Sequence, residues 1–267
     1  MLKKKPKLGQ NFLVSATAQA AIVDALGDIA ARTVVEIGPG RGALTGLLAA
    51  RARRLVAVEL DGELAARLRA DFAGRENVEI RQDDVLQTDF VALRSGGEQL
   101  MVVGNLPYYI TSEILLRLFR HASEIERAVL MMQREVAERV AAQPGGREYG
   151  VLSATAQLYA RVETLMSLPP GAFSPPPQVY SGVLRLTMAP RFDELRIEPE
   201  SFVAFVRVCF AQKRKMLRKN LRNAGYAAAA VTAALAASGV AVTARAEEVD
   251  LERMAAVWRR LERKATI

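Results

Sequence analysis

The sequence predicts an α/β fold built on a mostly parallel sheet and followed by a small helical domain. Three observations lead there. Short β-branched runs alternate with amphipathic segments through the first two-thirds of the chain, acidic or polar residues stand at the ends of successive runs, and beyond Pro190 the apolar period becomes purely helical. The composition suits such a fold: 267 residues, 51% hydrophobic and 25% charged, are enough for one large globular unit or two unequal ones. A fibre, a disordered chain and a small disulfide scaffold are excluded.

Taken in order, Thr33–Ile37, Leu55–Glu59, Val78–Ile80, Leu100–Val103 and Ala128–Met132 read as strands separated by helical patterns. That alternation implies βαβ units and a parallel sheet. Arg161–Leu168 and Val179–Leu186 add two strand-like runs. They are joined by Pro169, Pro170, Gly171 and the Pro175–Pro177 triplet, a connection too stiff for a helix, and they fit an antiparallel edge. Further on, Phe202, Val206, Cys209, Phe210, Leu217 and Leu221 lie at helical spacing, Ala227–Ala237 is an alanine-rich helix, and Leu251, Met254, Trp258 and Leu261 form another stripe. These stripes read as core faces. The expected division is residues 1–187 and 188–267.

The chain carries a net charge of +8, which favours a polyanionic partner, and the positive charge sits at its two ends. Residues 1–7 hold +4, residues 8–185 sum to −2, and residues 186–267 hold +6. The lysines at 3, 4, 5 and 7 are compatible with a solvated tail and equally with phosphate contact. Gly9, Gln10, Asn11, Ser15, Thr17, Gln19 and Asp24 interrupt any apolar segment after them, so neither export nor a membrane span is expected. Cys209 is the one cysteine and His121 the one histidine, which rules out an internal disulfide and a His/Cys metal cluster and points to a reducing, cytoplasmic setting.

The chemistry concentrates at strand ends. The first strand carries Glu36 and runs into Gly38-Pro39-Gly40-Arg41-Gly42, where glycine permits a sharp turn and close approach of a ligand to the main chain, although purely structural turns use glycine too. The second ends in Glu59-Leu60, 21 residues after Gly38, where a carboxylate can accept from both hydroxyls of a ribose. A dinucleotide fits that geometry, but the loop is not Gly-x-Gly-x-x-Gly, and the charge of Glu36 would repel a pyrophosphate. A nucleoside cofactor with a positive sulfonium, S-adenosylmethionine, suits the pattern better. The third strand ends in Asp83-Asp84, followed by Val85, placed to reach an adenine amine. The fourth leads into Asn105-Leu106-Pro107-Tyr108. An amino group conjugated with a purine ring is a poor nucleophile unless acceptors draw its nitrogen towards tetrahedral geometry. The Asn105 side-chain oxygen and the Leu106 carbonyl can serve, with Pro107 fixing the turn and Tyr108 stacking on an extruded base.

With these residues in view, the sequence resembles the bacterial small-subunit (16S) ribosomal RNA adenine dimethyltransferases, the dimethyladenosine transferases linked to kasugamycin sensitivity. The motifs are Leu8-Gly9-Gln10-Asn11-Phe12-Leu13, Glu36–Thr45, Val58–Asp61, Gly104–Tyr108, Gln133–Val136, Tyr149–Ser153, Phe173–Pro177 and Phe210–Leu217, covering nearly the whole chain. The resemblance implies a Rossmann-like methyltransferase domain with a small C-terminal helical domain. It implies S-adenosylmethionine held by Asn11, Leu13, Gly38, Gly40, Glu59, Leu60, Asp84, Val85 and Asn105. It further implies N6,N6-dimethylation of two adjacent adenosines near the 3′ end of 16S rRNA in the small subunit or its precursor, by a monomer. Phe173 would face Tyr108 across the base. Gln178 and Tyr180 depart from the Lys and Asp common there, which touches the loop's surroundings and not the methyl-donor site.

Lys213, Arg214, Lys215, Arg218, Lys219 and Arg222 place six positive charges within ten residues of a helical pattern. A solvated helix face is one reading; phosphate contact is preferred in a chain expected to hold RNA. Two other functions compete. The large-subunit adenine methyltransferases of macrolide resistance share the chemistry, but Leu106 and the triple-proline loop lean away from them. A ribosome-assembly factor with secondary methylation is the other, and the intact Glu59, Asp84 and Asn105–Tyr108 set argues against loss of catalysis.

Overall fold

The computed structural model describes residues 11–94 and 96–265. The lysines at 3, 4, 5 and 7, and Leu8–Gln10 of the first motif, lie outside the described residues. In chain order the elements are β1 (Phe12–Leu13), α1 (Ala16–Asp24), β2 (Thr33–Ile37), α2 (Thr45–Arg51), β3 (Arg54–Glu59), α3 (Gly62–Asp71), β4 (Val78–Gln82), α4 (Phe90–Leu93), β5 (Leu100–Asn105), α5 (Thr111–Arg120) and β6 (Ile125–Gln133). Then follow α6 (Arg134–Ala141), α7 (Val151–Tyr159), β7 (Ala160–Leu168), β8 (Phe173–Ser174), β9 (Ser181–Met188), α8 (Phe192–Leu195), α9 (Pro199–Cys209), α10 (Leu217–Asn223), α11 (Ala228–Ala237) and α12 (Leu251–Ala265).

The main sheet has the order β4-β3-β2-β5-β6-β9-β7. Strands β4 to β6 pair in parallel and β9 joins β6 antiparallel, as the sequence leads one to expect. Strand β2 is buried along its whole length, as its Val and Ile content requires in the middle of a sheet covered on both faces. Chain order reverses between β2 and β5, and in open sheets of this kind the crevice at the carboxyl ends beside that reversal is where ligands bind.

Local boundaries differ from the expected ones for identifiable reasons. Gly40 and Gly42 have φ of +59° and +82°, so the turn after β2 persists beyond the glycines and α2 begins only at Thr45. The proline-rich connection does hold one helical turn, of the tight 3₁₀ type, at Pro170–Ala172, and β8 follows it. β8 pairs with β1 as a separate two-stranded ribbon, Leu13 opposite Phe173.

Two compact units emerge. One holds the described residues up to Ala137 together with Val162–Met188; the other holds Glu138–Arg161 and the residues from Ala189 onward. The expected boundary at 187/188 places residues 138–161 with the sheet, whereas the structure groups them with the helices. Tyr149, Ala154 and Leu158 are buried in one core with Phe202, Leu221, Leu235 and Trp258, so packing, which no local pattern reports, draws residues 138–161 into the helical unit.

Candidate active site

At the carboxyl edge of β2, three glycines with positive φ carry the chain away from the sheet: Gly38, Gly40 and Gly42. Any side chain at such a φ is strained, and a Cβ on Gly40 would also stand 3.0 Å from the Phe12 ring. Glu59, at the tip of β3 and 4% exposed, ties this loop down. Its Oε2 accepts from the Gly40 N–H at 3.0 Å and its Oε1 from the Asp61 N–H at 2.9 Å. A carboxylate has about four acceptor positions, so capacity remains for a ligand.

Beyond β4, Asp83 and Asp84 are fixed as acceptors by different means. Asp83 receives the Thr88 hydroxyl at 3.1 Å and the Asp84 N–H at 2.8 Å, whereas Asp84 Oδ1 receives the Leu86 N–H at 2.9 Å. Asp84 lines the cleft with its second oxygen uncommitted by these bonds, beside the apolar Val85 and the half-exposed Leu60.

At the tip of β5 the side-chain amide of Asn105 donates to the Asn11 carbonyl at 2.9 Å. That bond sets the amide's orientation: with the nitrogen committed, the oxygen is the group left to accept. The Leu106 N–H donates to the Met131 carbonyl at 2.8 Å, and the Pro107 carbonyl accepts from the Thr111 hydroxyl at 2.9 Å, so the turn is held from both sides. Tyr108 shares a 3.0 Å hydrogen bond with the Ser181 hydroxyl, 73 residues on.

The expected donor-site residues Asn11, Leu13, Gly38, Gly40, Glu59, Leu60, Asp84 and Val85, and the tetrad Asn105, Leu106, Pro107 and Tyr108, all line one cleft. Phe173 does not. It stands opposite Leu13 in the β1–β8 pair and packs in the core at 3% exposure, so in this structure it presents no face to the cleft. Glu36 also lines the cleft, where burial acts on its charge. It is 2% exposed, and burial pushes its carboxyl up to about 8, with the Glu59 charge adding to the rise and the nearby Thr45 hydroxyl opposing it. A carboxyl so raised favours its neutral form near neutral pH, which weakens the expected repulsion of a pyrophosphate.

Residues that the motifs contained without announcing a role include Phe12 and Arg41. The Arg41 guanidinium lies over the Phe12 ring, 4.3 Å from its centroid, which helps hold the Asn11–Leu13 strap on the cleft. No spacing rule links residues so arranged. Among the described residues, no group of three His, Cys, Asp or Glu side chains is placed to hold a metal.

In the helical unit the basic cluster is not one helix. α9 ends at Cys209, and Lys213, Arg214 and Lys215 occupy an exposed turn before α10, which carries Arg218, Lys219 and Arg222. Buried Asn220 organises the turn by donating to the Cys209 carbonyl at 2.6 Å and the Gln212 carbonyl at 3.3 Å. The break lets Lys215, Lys219 and Arg222 line one polar hollow with Gln212 and Asn223.

The donor set fits S-adenosylmethionine: buried Glu59 for ribose hydroxyls, Asp84 for an adenine amine, and apolar Leu60 and Val85 for the ring. A Rossmann-like methyltransferase is the class that this sheet and cleft define. The chain belongs to the ribosomal RNA adenine dimethylase family, whose model matches residues 1–263, and it is therefore an enzyme of that kind. It is 65% identical to the ribosomal RNA small subunit methyltransferase A of Acidobacterium capsulatum over 97% of this chain and 92% of that one. The protein of the same name from Koribacter versatilis is 51% identical over 97% of this chain and 95% of that one. A dimethyladenosine transferase from Plasmodium falciparum shares the fold at a TM-score of 0.79, with 23% identity and coverage of 95% and 98%. The 23S rRNA methyltransferase ErmE is similar at a TM-score of 0.72, with 29% identity and coverage of 94% and 100%.

Proposed function

We propose that the protein transfers methyl groups from S-adenosylmethionine to the N6 atoms of two adjacent adenosines near the 3′ end of 16S rRNA, four in all, acting as a cytoplasmic monomer on the small subunit or its precursor. The observation that carries the reading is the polarity of Asn105, whose nitrogen is committed to Asn11 and whose oxygen is left as an acceptor in the cleft.

The chemistry of the bound cofactor is an electrophilic methyl group on a sulfonium, held by Glu59, Asp84 and the backbone at Gly38. The chain's own part is to prepare the nucleophile. A flipped adenine meets Tyr108, held upright by Ser181, and presents its amine to Asn105 Oδ1 and the Leu106 carbonyl. Two acceptors on the two N–H groups pull the lone pair out of conjugation, and Pro107 keeps both at fixed spacing. The methylated nitrogen is strongly acidic and sheds its proton to solvent, so a strong base is not required. Removal of one N–H leaves one more for a second cycle, consistent with dimethylation. Lys213, Arg214, Lys215, Arg218, Lys219 and Arg222 supply phosphate contacts, which add affinity without reading sequence.

The test is methyl transfer from labelled S-adenosylmethionine to small subunits lacking the modification, with large subunits and naked rRNA in parallel and nucleoside mass spectrometry of the products. N6,N6-dimethyladenosine in small subunits is the expected result. Label in large subunits, or binding to small subunits with no transfer, would replace this reading with one of the two competing functions.

A further inference from the structure

Tyr109 is an aromatic ring at the mouth of the cleft that the mechanism above leaves unused. It lines the same cleft as Tyr108, yet it is 60% exposed. Its backbone is fixed, because the Ile110 N–H and the Thr111 hydroxyl both donate to the Pro107 carbonyl, at 3.3 Å and 2.9 Å. The ring is thus presented to solvent from a rigid turn. Tyr180, 44% exposed, differs in that the Arg134 guanidinium lies over its ring at 4.9 Å. Tyr109 has no ring or cation contact among the described residues, and at 60% exposure most of its side chain is left to solvent, where a base can stack on it.

A nucleotide drawn into the cleft breaks its stacking with its neighbour on the strand, and the neighbour arrives at the cleft mouth with one bare face. Aromatic side chains replace such lost stacking in proteins that bind unpaired RNA, and they do so for any base because every base has a π-face. We propose that Tyr109 is the stacking platform for the nucleotide adjoining the adenosine in the cleft. Resting on the function proposed above, this assigns it the second adenosine of the pair, held in place while the first is methylated. The occupant is an unpaired purine of the RNA strand; a protein surface covering the ring is the alternative that the test resolves.

The experiment compares wild type with Tyr109→Ala, Tyr109→Phe and Tyr109→Trp on small subunits lacking the modification, following kcat, KM and products at each adenosine. S-adenosylhomocysteine affinity and melting temperature serve as controls and stay unchanged, because the ring is largely exposed and the hydrogen bonds that hold Glu59, Asp84 and Asn105 do not involve it. Loss of one stacked base costs roughly 10- to 100-fold, so Tyr109→Ala raises KM for subunits by about that factor, with the loss on KM more than kcat. Subunits dimethylated at a single adenosine accumulate, while Phe and Trp restore the wild-type pattern. An unchanged KM in Tyr109→Ala, or Tyr109→Phe as impaired as Tyr109→Ala, overturns the platform. A wild-type protein that methylates no small subunit overturns the functional reading itself, and this inference with it.

Discussion

Replacing Glu59 by Gln sets a nearly isosteric amide into a site built for two acceptors. Both carboxylate oxygens are used: Oε2 by the Gly40 N–H at 3.0 Å and Oε1 by the Asp61 N–H at 2.9 Å. Whichever way the amide is turned, its NH₂ faces a backbone N–H. One hydrogen bond to a charged group is lost at a residue 4% exposed, a change of about 1.5–3 kcal/mol. The first consequence is thermal, with a fall of roughly 3–12 °C in the melting of the unit that carries the sheet. The second concerns the ligand. If the same carboxylate accepts ribose hydroxyls, an equal loss weakens nucleoside binding by about 10- to 150-fold. Calorimetric titration with S-adenosylhomocysteine measures the second, and a thermal melt the first. Unchanged affinity together with a lowered melting temperature would make Glu59 a loop anchor only, and would refute the assignment of the donor site to the tip of β3.

Asn105→Asp keeps an acceptor but removes the donor to Asn11, setting a carboxylate against a carbonyl now 2.9 Å from the amide nitrogen. Single-turnover methylation should fall about 10²- to 10³-fold, the range for loss of one positioned group at a reacting centre, while subunits bind normally in a filter assay. Glu36, with its carboxyl raised from 4.5 to about 8, retains in the folded state a proton that the unfolded chain gives up. Its contribution to stability is full below pH 4.5 and declines as pH rises to about 8, so denaturant melts of wild type should weaken across that window and Glu36→Gln should flatten the decline. Asn220→Ala strips the buried donor from the Cys209 and Gln212 carbonyls, costing about 1–3 kcal/mol in denaturant unfolding. It should also lower affinity for small subunits by releasing the Lys213–Lys215 turn, which equilibrium binding at fixed salt reports.

The alternation of β-branched runs with helical patterns was enough to specify the parallel sheet and its antiparallel edge, because burial on both faces favours short Val- and Ile-rich runs that stand out from the helical period between them. The glycine turn, Glu59, Asp84 and the Asn105–Tyr108 tetrad were legible for a related reason. In a parallel sheet every strand delivers its last residues to the same edge, so strand-end chemistry converges without knowledge of the packing. The stretch from 138 to 161 was not legible, since its apolar residues fit either core until Tyr149 and Leu158 are seen beside Phe202. The turn at Lys213–Lys215 was missed because it depends on Asn220 reaching back to carbonyls it does not adjoin in sequence.

Local pattern and strand ends thus carry the fold class and bring the strand-tip residues Gly38, Glu59, Asp84 and Asn105 to one cleft. Tertiary structure decided the states of those residues. Burial raises the Glu36 carboxyl, pairing with β1 hides Phe173, the Asn11 carbonyl orients the Asn105 amide, and a hydrogen-bonded turn leaves Tyr109 in solvent. Each of these depends on what stands opposite a side chain from a distant part of the chain, and desolvation and hydrogen-bond partnership are set by that neighbour.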